Sequence, residues 1–182
     1  VRFELDEAGI LTTQDGDDIE LRIQVTEAMG NFWLGQIHPI LFDAKSADRP
    51  VRIVVDGSTF ASPLGSGALS RAQIDASFDL GTVQFGEGSL LGRIVEWTGH
   101  AGEQAKFDPA QVTLRDGELR YDQLALDVGN VRLRFQGAVN LSEQTLTEMS
   151  VRVPSESLVK VFQDLEDVVE PGDELVIPMR GA

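Results

Sequence analysis

Cysteine is missing from this 182-residue chain, and histidine occurs only twice, as His38 and His100. The first absence excludes disulfides, thiolate nucleophiles and cysteine-ligated zinc. The second leaves no metal-ligand or triad spacing that a histidine could anchor. Basic residues are also scarce: fifteen Lys and Arg stand against thirty Asp and Glu, a net charge of −15. Proteins that grip a phosphate backbone need a basic footprint, so nucleic acid is excluded as a partner. The acidity itself reads as solubility. No apolar run is long enough to span a bilayer. There is no G-x-S-x-G elbow and no Walker loop. The expectation is therefore a chain without catalytic residues, metal or cofactor.

What is present is alternation. Hydrophobic residues make up 42% of the chain and charged residues 25%, a globular balance. Apolar and polar residues alternate over Phe3–Leu5, Ile19–Val25, Val51–Val55 and Ile74–Leu80, then at Val83 and Phe85. The period of two marks strands with one face buried. The later half is sharper. Val112 and Leu114 lead to an Asp116-Gly117 turn, and Leu119 and Tyr121 continue on one face. The phase slips at Gln123 before Leu124, Leu126 and Val128, as at a β-bulge. After Gly129-Asn130 come Val131, Leu133 and Phe135, then Met149, Val151 and Val153, and last Leu175, Ile177 and Met179. Short turns between such strands predict antiparallel neighbours.

Three segments depart from this period. Ser89–Thr98 spaces Leu90, Leu91, Ile94, Val95 and Trp97 helically, with Gly99 as the stop. Pro154-Ser155 opens a second helical stripe of Leu158, Val159, Phe162, Leu165 and Val169, which Pro171-Gly172 ends. Ala28–Ala44 is a third candidate, interrupted at Pro39. The expected fold class is α+β, mostly β: a curved antiparallel sheet with two or three amphipathic helices packed on its apolar face. Residues 1–182 read as one β-rich domain or segment. The chain opens at Val1 with no leader in sight, so it is expected to be a piece of a longer protein whose targeting segment or anchor lies outside it.

Features that mimic chemistry have plainer explanations. Asp15, Asp17 and Asp18 lack calcium-loop spacing and read as a turn. Gly65-Ser66-Gly67 reads as a linker. Asp164, Glu166, Asp167 and Glu170 form an acidic helix end, kept for solubility or a partner. His38, among Ile37, Pro39 and Ile40, belongs in or beside the core, and His100 in a solvated loop. Asn140-Leu141-Ser142 is a glycosylation sequon by spelling only. Phe32, Trp33, Phe42, Phe60, Trp97 and Phe162 read as ordinary core. Where helices leave the apolar sheet face uncovered, a groove for lipid or a partner remains.

From Ala72 onward the chain resembles the C-terminal region of the AsmA-like proteins, bacterial relatives that include TamB and YhdP. The residues carrying this are Asp79-Leu80-Gly81-Thr82-Val83-Gln84-Phe85 running into Gly88-Ser89-Leu90-Leu91, and Phe107-Asp108-Pro109-Ala110-Gln111-Val112 before Asp116-Gly117-Glu118-Leu119. Leu124-Ala125-Leu126-Asp127-Val128 then leads to Leu133-Arg134-Phe135-Gln136-Gly137-Ala138-Val139-Asn140-Leu141. Val151-Arg152-Val153-Pro154 and Val176-Ile177-Pro178-Met179-Arg180-Gly181 look like closing strands. The resemblance implies a periplasmic segment, tethered to the inner membrane by an anchor elsewhere in the parent chain. It implies phospholipid transport or outer-membrane biogenesis through an apolar β-groove, with phospholipid and other segments of the same parent chain as partners. The residues expected to face lipid are Val131, Leu133, Phe135, Met149, Val151 and Val153. The alternative is a structural or protein-interaction module with a fully sealed core and no ligand.

Overall fold

The computed structural model describes residues 1–30, 34, 41–86, 89, 91, 104–129, 131–143, 145–156, 159, 170 and 172–179. Among them the chain is mostly β. The early strands are β1 (Phe3–Leu5), β2 (Ile10–Thr13), β3 (Ile19–Ile23), β4 (Ala44–Ala47), β5 (Val51–Val55) and β6 (Ala61–Pro63). They are followed by β7 (Ile74–Asp79), β8 (Thr82–Phe85), β9 (Ala105–Phe107) and β10 (Ala110–Arg115). The long closing strands are β11 (Glu118–Val128), β12 (Val131–Asn140), β13 (Thr145–Pro154) and β14 (Glu174–Met179). Strands β1, β2 and β6 form a small sheet, and the other eleven form one large open sheet. Every pairing is antiparallel, as the short turns require. The Asp116-Gly117 hairpin puts both residues at positive φ, 52° and 77°, the geometry that matches strand twist in a two-residue turn.

The large sheet is a meander whose strands break on a common line. On β11, β9 lies with Phe107 opposite Leu126, and β10 with Val112 opposite Tyr121. Both positions fall on one register, so β9 and β10 are halves of one strand parted at Asp108-Pro109. Proline has no N–H to give to a ladder, and it interrupts pairing there. Strands β7 and β8 are likewise halves of one strand, with Phe78 opposite Ala110 and Thr82 opposite Lys106. Leu80-Gly81 parts them, and Gly81 sits at φ +67°. The next strand out, β4 with β5, is broken at Asp48-Arg49-Pro50, where the Asp48 N–H donates to the Thr82 carbonyl at 2.9 Å. On β11 the same level carries the bulge: Asp122 and Gln123 together oppose Gln136, between the Tyr121–Gly137 and Leu124–Phe135 pairs.

At three of these breaks the inward-facing side chains change parity. Phe78 and Leu80 give way to Val83 and Phe85, Phe107 to Ala110, and Tyr121 to Leu124. An unbroken strand would send the second half of its apolar residues to the wet side. The slip lets both halves turn the same side inward, as strands do where a sheet bends round a core. One hydrophobic cluster accordingly holds Val51 and Ala110 from one side of the line with Val83, Ala105, Phe107, Leu126 and Leu133 from the other. Phe85 and Phe107 meet there at 6.2 Å between ring centroids. The small sheet is tied on by the Thr13 hydroxyl, which donates to the Gly57 carbonyl at 2.8 Å, and by paired backbone bonds between Ala61 and Gln73.

Two or three packed helices are not supported among the described residues, whose helical turns include Gln14–Gly16, Glu27–Met29 and Ala68–Arg71. The expected helix over Ala28–Ala44 does not run to its end. Asp43 turns left-handed at φ +62°, and Ala44 begins a strand with its methyl buried. Most of the other two expected helices, residues 92–98 and 160–169, lies outside the described residues, as do His38, His100, Phe32, Trp33 and Phe162. Phe42, expected in the core, is 48% exposed.

Gly81 and Gly137 are among the glycines required by close approach. A Cβ on Gly81 would lie 2.4 Å from Asp48 Oδ1, on a backbone already left-handed. A Cβ on Gly137 would lie 2.4 Å from the Glu148 carbonyl oxygen and 2.5 Å from the Tyr121 hydroxyl, directly across the strand pair. Gly81→Ala and Gly137→Ala should each lower unfolding free energy by about 1–3 kcal/mol, read from the urea midpoint at unchanged slope.

Candidate functional site

The six side chains expected to face lipid come together. Val131, Leu133 and Phe135 alternate along β12, and Met149, Val151 and Val153 along β13. Phe135 lies opposite Val151, and Met149 opposite Gly137. All six therefore share one face of the sheet, and β11 continues that face through Leu124, Leu126 and Val128. The stripe is wholly apolar, with valines and Phe135 among its members, residues that fit a pleated, buried surface. All six are buried, Phe135 at 1% exposure and Val153, the most open, at 9%. They belong to the contiguous core with Leu34, Leu41 and Leu91. The atoms that cover this face in the structure are the chain's own.

Exposed apolar surface lies elsewhere. Leu175, Val176 and Ile177 of β14 are 47%, 49% and 39% exposed. Strand β14 ends the sheet and pairs only with β13 among the described residues. The Ser155 N–H donates to the Asp173 carbonyl at 2.8 Å, which sets the alternation of the ladder. Continued along the strand, it aims the backbone groups of Glu174, Val176 and Pro178 outward. Proline gives the outer edge no donor, so the free edge has a gap at Pro178.

The opposite face is laced with ion pairs. Arg115 makes two 2.8 Å bonds to the Asp75 carboxylate, and Arg49 bonds Asp79 across the line of strand breaks at 2.8 Å. Arg132 donates to Asp108 and to Asp127. Glu20 accepts from Arg22 at 2.9 Å and Arg52 at 3.1 Å, and these bonds hold its carboxyl down at about 2. Burial pushes the Tyr121 phenol well above its usual range. No group of three metal-ligating side chains stands together among the described residues. The turn aspartates serve locally: Asp18 Oδ1 accepts the Gly57 N–H at 3.2 Å. Asn140 Oδ1 accepts the N–H groups of Ser142 and Glu143 at 3.0 Å, so the sequon asparagine braces a hairpin. Ser155, at the expected start of the second helical stripe, is buried and donates its hydroxyl to the Glu170 carbonyl at 3.0 Å.

Sequence reasoning did not single out Arg134, Arg152 and Glu174, which the register assembles on the outer face. Their only signal was the placing of both arginines at polar positions of apolar strands, which reads as any wet side. No helix among the described residues is long and apolar enough to cross a membrane.

Phe135→Ala should cost about 3–5 kcal/mol in chemical denaturation, because the side chain sits in a filled core. For Glu20, whose folded value lies below its ordinary 4.5, the ion pairs stabilise above that pH, and the contribution fades as pH falls toward 2. An NMR titration should place the Glu20 midpoint near 2, and Arg52→Gln should move it up toward about 4.3. Compared with protein families, with curated proteins and with solved structures, the chain matches none.

Proposed function

We propose that this chain is a non-enzymatic periplasmic segment of an AsmA-like protein that handles phospholipid along the apolar face of its sheet. The observation that carries this reading is the continuous apolar surface running across β11, β12 and β13, polar on its reverse side. Acyl chains need unbroken apolar area, and a sheet of this kind supplies it without any catalytic group. The ordered resemblance from Ala72 onward supports the same role in phospholipid transport or outer-membrane biogenesis. Other segments of the parent chain and an inner-membrane anchor complete the assembly. The curved groove of that role is formed when lipid takes the place of the chain atoms that now cover Val131, Leu133, Phe135, Met149, Val151 and Val153.

A second reading has its own observation. Those six side chains are at most 9% exposed, so the core is already sealed there by the polypeptide. On this reading the segment is a structural or protein-interaction module with no ligand.

Organic extraction of the purified chain, with native mass spectrometry of the intact sample, separates the two. Phospholipid co-purifying in near-stoichiometric amount supports the lipid role. A chain that emerges free of lipid, and that takes up none from phosphatidylglycerol micelles, overturns it in favour of the sealed module.

A further inference from the structure

We propose that the cleft beside the β11 bulge binds a phosphate group. The cleft is about 250 Å³ and is lined by Asp122, Gln123, Arg134, Gln136, Arg152 and Glu174, with Phe135 at its base. It lies on the outer face, so the proposal does not depend on what occupies the apolar side.

Two features build the site. Arg134 and Arg152 stand directly opposite one another on β12 and β13. Like charges in that position repel, and the pair is held by a single carboxylate, Glu174, from the next strand. Arg134 bonds it directly, but Arg152 reaches it only at 3.7 Å and touches Gln136 Oε1 at 3.5 Å. Elsewhere on this face the bonds are closer: Arg22 and Arg52, likewise opposite one another, share Glu20 at 2.9 and 3.1 Å, Arg132 has both Asp108 and Asp127, and Arg115 has two 2.8 Å bonds to Asp75. The guanidinium of Arg152 thus brings a planar fork of donors to the cleft, its ion pair with Glu174 a long one at 3.7 Å.

The second feature is the bulge. Two residues, Asp122 and Gln123, oppose the one residue Gln136. The extra residue of a bulge leaves the ladder, which frees backbone groups beside the arginine pair. Two guanidinium forks, the amides of Gln123 and Gln136 and a released stretch of backbone are donors suited to a tetrahedral oxyanion. Glu174 then acts as the built-in competitor, occupying the guanidinium pair until phosphate displaces it. The phosphate can be free in solution or part of a lipid headgroup, since both present the same oxygens.

The intact chain should be titrated at low salt with inorganic phosphate by calorimetry, and with phosphatidylglycerol vesicles by flotation. Arg152→Gln should weaken phosphate binding by about tenfold. Glu174→Gln should strengthen it severalfold, because it removes the competing charge while keeping the shape. A gain of affinity cannot come from misfolding, so this variant guards against a trivial loss. Binding of free phosphate alone assigns the site to a soluble ligand, and vesicle binding that inorganic phosphate displaces assigns it to a headgroup. If neither probe binds the native chain or the Glu174→Gln variant up to about 10 mM phosphate, or if both substitutions leave affinity unchanged, the proposal is overturned.

Discussion

A strand that is longer than the core it covers must either leave that core or bend around it. In this protein four neighbouring strands are broken, and all four at the same level of the sheet. Side chains alternate with a period of two, so a bend without a change of phase would drive half of each strand's apolar residues into water. The chain solves this with four different local devices on neighbouring strands: Pro50, left-handed Gly81, Pro109 and the Asp122-Gln123 bulge. Each removes a ladder bond or breaks alternation where its neighbour does the same. The backbone bonds from Asp48 to Thr82, from Phe107 to Gly81 and from Asp108 to Ala125 keep the strands together across the breaks.

The two faces follow from that arrangement. The inner face is apolar and filled, with Phe135, Leu126 and Leu124 nearly inaccessible. The outer face carries arginines whose partners come from adjacent strands, so the charge pattern is set by register. Exposed pairs of this kind add little stability individually. Their effect here is to order a strongly acidic surface, placing scarce cations where cross-strand neighbours are acidic. Two pairs of cations meet across strands, Arg22 with Arg52 and Arg134 with Arg152, and one carboxylate answers each pair, Glu20 closely and Glu174 only loosely on the Arg152 side.

The proposed lipid role and the burial of its expected face meet at a physical condition. A groove works when its apolar wall is exchanged between the chain's own cover and an acyl chain of equal apolar area. The wall formed by β12 and β13 is apolar, and among the described residues no buried side-chain N or O atom lacks a partner. The open edge at β14 is different in kind. It offers apolar side chains together with backbone groups that pair with no strand among the described residues, and Pro178 limits how far another strand can zip along it.

Much of this was legible in the residues themselves. Alternation located most strands of the large sheet, though not the short β4 and β9, Asp116-Gly117 marked its tightest hairpin, and the displaced phase at Gln123 announced the bulge. The grouping of Val131, Leu133, Phe135, Met149, Val151 and Val153 on one face followed from the same period, because side-chain direction in a strand is a local property. The parity changes at Gly81 and Pro109 are equally visible in sequence, but nothing local tells that they fall side by side. Pairing does, since register is a relation between distant segments. The same holds for the filled inner face and for Arg134, Arg152 and Glu174: no spacing along the chain brings a guanidinium from β12, another from β13 and a carboxylate from β14 to one cleft. The sequence by itself determined which side of each strand is apolar, through residue type and a two-residue period. Only the tertiary structure decided what lies against that side and which charges meet on the other, because both depend on contacts that long-range packing selects.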